Sequence, residues 1–241
     1  NRSVFRDADP GQVVNPERLY NFEAGYTYQA TNILLEFNGF YMNYRDQLVL
    51  TGQINNVGAP IMTNVPKSYR AGVEFMDAIH FLKIVDWKLN ATYSQNKILN
   101  FTSYVDDWTN WPEQVVEDLG TTDISFSPDV ILSSEIGVEP VDNFTITLVS
   151  KYVGRQFIDN TSSIDRSIDP FFVNNLELFY SLKLKAIRQI DFWVHLNNIF
   201  NEEYETNAWV YRYFYDGAEY EMNGYFPQAG FHFFGGVSFK F

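Results

Sequence analysis

In the stretch ILLEFNGFYMNY, Ile33, Leu35, Phe37 and Tyr41 fall at one parity while Glu36, Asn38 and Met42 fall at the other. A strand turns successive side chains to opposite faces, so this spacing predicts an extended segment with one apolar and one polar side. WKLNATYSQN repeats the pattern, with Trp87, Leu89, Ala91 and Tyr93 set against Lys88, Asn90, Thr92 and Ser94. FTITLVSKY does the same, setting Phe144, Ile146, Leu148 and Tyr152 against Thr145, Thr147 and Lys151. No convincing segment carries the period of an amphipathic helix. Followed along the chain, alternation predicts nine strands, at 18–29, 33–44, 69–80, 87–98, 130–139, 143–153, 171–183, 190–199 and 229–241. Each is about ten to thirteen residues long, against roughly five or six for a soluble strand and roughly nine to eleven for a tilted strand crossing a bilayer.

The connections fall into two alternating classes. Ala30 to Asn32, Phe81 to Asp86, Pro140 to Asp142 and Leu184 to Gln189 are predicted as short turns. Arg45 to Ser68, Leu99 to Asp129, Gly154 to Pro170 and Phe200 to Gln228 are predicted as polar loops of seventeen residues or more. Strict alternation places every long loop at the same end of the sheet, the pattern of an outer-membrane barrel. A soluble antiparallel sandwich also alternates its faces. It gives no reason, however, for bilayer-length strands, or for Tyr28, Trp87, Tyr93, Phe144 and Tyr152 near strand ends, where the aromatic girdles of a barrel lie. The expected fold is therefore all-β, an antiparallel transmembrane β-barrel whose apolar face meets lipid. Its polar face carries Glu23, Glu36, Arg70, Glu74, Lys88, Glu135, Lys151, Glu177, Asp191 and His195. Charges are not buried without partners, so a wide lumen, wet or filled by a polar plug, is expected.

Composition narrows the chemistry. A 46% hydrophobic and 18% aromatic chain can build a core, yet it has no run of apolar residues long enough for a transmembrane helix. The net charge of -13 argues against a nucleic-acid partner. There are no cysteines, hence no disulfide framework or thiolate site. His80, His195 and His232 lie on different predicted strands without the spacing of a local metal site, so no metal and no cofactor are predicted. No nucleophile elbow or other catalytic signature is present, and no enzyme is expected. The Gly235-Gly236 pair is followed by no helix, which argues against a phosphate loop.

Ligand contacts are expected in the long loops. DDWTNWPE supplies Trp108 and Trp111, WVYRYFYDGAEY supplies Trp209, Tyr211, Arg212, Tyr213 and Tyr215, and Arg155 opens another loop. Aromatic rings offer stacking area, and a guanidinium suits carboxylate or phosphate oxygens. WVYRYFY also alternates, and the competing reading is a strand extension standing above the membrane with its aromatics packed on neighbouring loops.

Four stretches, NPERLYNFEAGYTYQ, YRDQLVLTGQINNVGAPIMTNVPKSYRAGVEF, VHLNNIFNEEYETN and YFPQAGFHFFGGVSFKF, together resemble the carboxy-terminal part of a TonB-dependent outer-membrane receptor. The resemblance is strongest at Pro16 to Arg18, at Asn197 to Tyr204 and at the terminal aromatic. It implies a plugged barrel of about 22 strands, of which residues 1–241 would form the carboxy-terminal portion, the plug and earlier strands lying outside this chain. An odd strand count agrees with an incomplete barrel, and residues 1–17 are expected to end a long loop. For the whole receptor it implies TonB-dependent uptake of a scarce nutrient, a ferric siderophore or haem foremost and cobalamin after them. The implied location is the Gram-negative outer membrane, with long loops extracellular and the carboxy terminus periplasmic. Implied partners are outer-membrane lipid, the rest of the same barrel with its plug, the TonB complex through that plug, and a surface lipoprotein. Phe239 and Phe241, closing an alternating strand, resemble the signal read by the barrel-assembly machinery. Two other readings stand beside it: a self-contained barrel of eight or ten strands serving as adhesin or anchor, and a passive porin. Independently of family, the turn-prone Asn197, Asn198 and Asn201 predict a strand leaving the sheet near a membrane rim.

Overall fold

Period-two alternation organises the computed structural model, which describes residues 14–54, 60–81, 84–184 and 188–241. In chain order the first strands are β1 Arg18–Ala30, β2 Ile33–Ile54, β3 Pro60–Phe81, β4 Val85–Asp107 and β5 Gln114–Asp123. There follow β6 Val130–Val141, β7 Phe144–Val153, β8 Gln156–Phe157, β9 Ser167–Ile168 and β10 Phe171–Leu182. The last are β11 Gln189–Asn197, β12 Glu205–Tyr215, β13 Ala218–Pro227 and β14 His232–Lys240, and a 3₁₀ turn covers Ile164–Arg166. Nine of these form one antiparallel path, β1-β2-β3-β4-β6-β7-β10-β11-β14, and they are the nine segments that alternation picks out.

Register keeps the faces apart. Glu36 pairs with Thr27 and Met76, Arg70 with Met42 and Asn96, and Lys88 with Ala78 and Glu135. Farther along, Glu177 pairs with Thr147 and His195, and Asp191 with Ser181 and Ser238. Cross-strand partners share a face, so the charged row predicted from parity is continuous across the sheet. Several of its ionisable groups are partnered: Lys88 Nζ lies 2.8 Å from Glu135, His195 Nδ1 3.2 Å from Glu177 and Lys240 Nζ 3.1 Å from Asp191. On the opposite face Phe37, Val73, Tyr93, Phe172, Phe192, Phe233, Val237 and Phe239 are all exposed. An apolar surface of that extent has to be covered by something other than water.

All four predicted loops contain more β-structure than expected, Gly154 to Pro170 holding the short β8-β9 pair. Within Arg45 to Ser68, the β2 and β3 ladder runs on to Leu50 and Met62. Within Leu99 to Asp129, β4 continues to Asp107 and β5 returns along it. Phe200 to Gln228 holds the β12-β13 hairpin. Alternation hides these extensions because Asp46 and Asn100, at φ 56° and 55°, take the left-handed conformation that interrupts side-chain parity. The turns at Phe81 to Asp86 and Leu184 to Gln189 lie partly outside the described residues, as do the middle of Arg45 to Ser68 and most of residues 1–17. Among the described residues β1 and β14 do not pair with each other, and the sheet is open.

The packed core sits at the long-connection end of the sheet. One buried cluster joins Val49, Val65, Ile98, Phe101 and Ile124. A second joins Val153, Phe171 and Val173 with Tyr204, and a third joins Ile158, Ile168 and Ala208 with Val210. Full burial of a side chain such as Phe101 is worth about 1.5–3 kcal/mol, so these clusters hold the connections down as a folded cap.

Candidate ligand-binding cavity

The hairpin of β12 and β13 turns at Asp216 and Gly217, with φ 50° and 77°. Asp-Gly suits this turn because both positions need positive φ. The hairpin then leans on the end of β4, where Tyr213 and Phe214 pair in parallel with Asp106 and Asp107. Side chains reinforce that contact. Trp108 stacks on Tyr213 with ring centres 4.0 Å apart and an interplanar angle of 16°. Trp108 Nε1 donates to the Tyr211 hydroxyl at 3.0 Å, which donates to Asp106 Oδ2 at 2.8 Å. Gln114 Nε2 donates to Asp106 Oδ1 and to the Gly52 carbonyl, each at 2.8 Å. Burial of the Tyr211 hydroxyl and its bond to Asp106 raise its pKa above the usual phenol value.

Arg212, on the other face of the hairpin, reaches three elements, β4, β5 and β13. Its Nη2 donates to Glu117 at 2.8 Å, its Nε to Glu219 at 2.7 Å and its Nη1 to Ser103 Oγ at 3.1 Å. Burial alone would lower its pKa, but the hydrogen bonds and charges of Glu117 and Glu219 outweigh this and raise it. Arg166 ties the β8-β9 connection to β13 in a similar way, through Asp159 at 2.9 Å and Glu221 at 3.0 Å.

Between these tethers lies a cavity of about 540 Å³, inside the size range of small-molecule sites. Its walls come from the ends of β2 and β4, the segment around Phe126, the turn at Asp159 to Thr161, and β12. Of the residues predicted to bind ligand, Trp111, Trp209, Tyr211 and Arg212 line it. Trp108 and Tyr213 stand behind the wall as its support, which matches the competing reading of WVYRYFY as a strand extension packed on a neighbouring connection. Tyr215 is exposed beside the hairpin turn. Arg155 lies outside the cavity lining and bonds Ser167 Oγ at 2.8 Å and Asp169 at 2.9 Å.

Sequence reasoning missed Phe101, Tyr104, Asp106, Phe126 and Asn160, all of which line the cavity. Asn160 is buried, accepts from the Ser125 amide at 2.8 Å and donates to the Leu50 carbonyl at 2.9 Å. The partners lie on separate connections, and no local motif marks them. Among the described residues no three His, Cys, Asp or Glu side chains gather as a metal site. At the chain's end, Phe239 belongs to the exposed apolar row and Phe241 follows β14 with its ring exposed.

A family model described as TonB dependent receptor-like, beta-barrel, matches residues 5–199. Among solved structures, the ferric yersiniabactin uptake receptor FyuA from Yersinia pestis is 17% identical with a TM-score of 0.62, over 92% of this chain and 29% of its own. The ferric-catecholate import receptor Fiu from Escherichia coli K12 is 14% identical with a TM-score of 0.65, over 95% of this chain and 29% of its own. The ferric citrate transporter FecA is 17% identical with a TM-score of 0.67, over 92% of this chain and 31% of its own. At such identities the likeness is one of fold, and the chain spans less than a third of each receptor's length. No curated protein matches.

Proposed function

Because this chain belongs to the TonB-dependent receptor-like β-barrel family, we propose that it forms the carboxy-terminal barrel wall of an outer-membrane receptor that imports an iron chelate, a ferric siderophore or haem. The observation that carries this reading is the aromatic-lined cavity, which opens at the end of the sheet holding the long connections. In the proposed orientation that end is extracellular, the short turns are periplasmic, and the exposed apolar face meets lipid. Trp111 and Trp209 are the proposed ligand contacts, with Tyr211 beside them.

The similar solved receptors are named for ferric yersiniabactin uptake, ferric-catecholate import and ferric citrate transport. Those names describe uptake receptors rather than enzymes. The unpaired edges of β1 and β14 are where further strands of the same barrel would join, and a plug within it would engage TonB. A self-contained barrel of eight or ten strands requires those edges to pair with each other, and a passive porin gives no role to a walled aromatic cavity.

Deleting the parent gene is expected to abolish growth on at least one siderophore or haem iron source under iron limitation. Unchanged growth on every such source refutes the iron assignment.

A further inference from the structure

One arginine, Arg212, lines the cavity and a second, Arg166, stands behind its wall on Asp159 and Thr161, and neither has charge to spare. Arg212, with a side chain only 10% exposed, commits Nε, Nη1 and Nη2 to Glu219, Ser103 and Glu117. Arg166, 11% exposed, commits its Nε, Nη1 and Nη2 to Asp159, Glu221 and Thr161. Asp106 lines the same cavity and receives only neutral donors, Gln114 and Tyr211. Two guanidinium groups therefore stand against five carboxylates, Asp106, Glu117, Asp159, Glu219 and Glu221. The rest of the wall is uncharged apart from Asp159: rings such as Trp111, Trp209, Tyr104 and Phe126, with aliphatic and neutral polar side chains between them.

Among the described residues, an anion entering this space meets no free cation. It would meet a guanidinium whose charge two carboxylates already offset, or break those pairs and leave half-buried charge unpaired, and it would feel the excess carboxylates in a partly dehydrated site where charge is poorly screened. A neutral chelate with flat rings loses nothing by entering and gains stacking on the indoles, and a cationic one gains cation–π attraction as well.

We propose that the cavity selects iron chelates of zero or positive net charge with exposed ring or apolar surface, and rejects anionic ones. This rests on the receptor reading above and narrows it. It sets an uncharged chelate ahead of haem, with its two propionates, and apart from catecholate and citrate complexes.

The test is binding to the purified full-length parent receptor, followed by quenching of its tryptophan fluorescence. The probes are an uncharged ferric trihydroxamate and a triply anionic ferric tris-catecholate. The trihydroxamate is expected to bind about tenfold or more tightly than the tris-catecholate. Glu117→Gln combined with Glu219→Gln frees Arg212, and is expected to raise the affinity for the tris-catecholate relative to that for the trihydroxamate about tenfold. Equal or tighter binding of the tris-catecholate to the unaltered receptor overturns the charge rule, with no variant needed. Failure of both chelates to bind, together with unimpaired growth of the deletion strain, overturns the receptor reading itself.

Discussion

Asn198 is 2% exposed and holds the left-handed φ of 51°. Its amide donates to Asn175 Oδ1, its Nδ2 to the Glu202 and Ala229 carbonyls, and its Oδ1 accepts from the Glu202 amide. One side chain thus closes the turn after β11 and ties it to the approach to β14. Asn198→Ala is expected to cost about 2–4 kcal/mol locally, from orphaned buried groups and a conformation alanine resists. Faster hydrogen exchange at the Glu202 amide would register it. Tyr211 offers a pH test. Its folded pKa is raised above the ordinary 10.0, so docking of the hairpin on β4 is fully stabilised below that pH and weakens as pH rises through the folded value. Trp108 fluorescence should report that loss, and Tyr211→Phe should diminish the alkaline change while weakening docking by about 1 kcal/mol. At this scale the sequence groups these aromatics together without dividing them. Asp107 Oδ1 accepts from the amides of Thr109 and Asn110, turning the chain so that Trp108 meets Tyr213 while Trp111 lines the cavity. That division depends on a hairpin more than a hundred residues away, as the Trp108 to Tyr211 separation of 103 shows.

Strands are legible where one face is uniformly apolar, because each side chain is then constrained at every second position. Phe192 lies in that row, paired with Tyr180 and Val237. Phe192→Lys is expected to penalise insertion by up to about 2–4 kcal/mol, whereas Thr147→Lys on the polar face, across from Glu177, should be tolerated. Heat-modifiable gel mobility of the receptor in outer-membrane fractions distinguishes the two. Beyond the bilayer-length segments the apolar constraint ends, so the ends of β2 and β4 read as loop. There packing is enforced by backbone contact instead. Gly52 has φ 90°, and a Cβ added to it would sit 1.9 Å from the Tyr104 carbonyl oxygen. Gly52→Ala should push these strand ends apart, at about 2 kcal/mol or more, and reduce chelate quenching of the cavity tryptophans.

The whole molecule divides its labour along the strands: a sheet with one bare apolar face at one end and a packed cap at the other. The first follows from periodicity, whereas the second depends on partners far apart in the chain. The Arg212 to Glu117 bond spans 95 residues and the Asn160 to Leu50 bond spans 110. Such spans bear on how a receptor of this kind can acquire a new diet. A recombination that imports β12 without β5 delivers an arginine stripped of one of its carboxylates, and so delivers a different charge preference from the one the donor had. Specificity built this way is inherited as a block, and exchange of a single loop should yield hybrids that resemble neither parent.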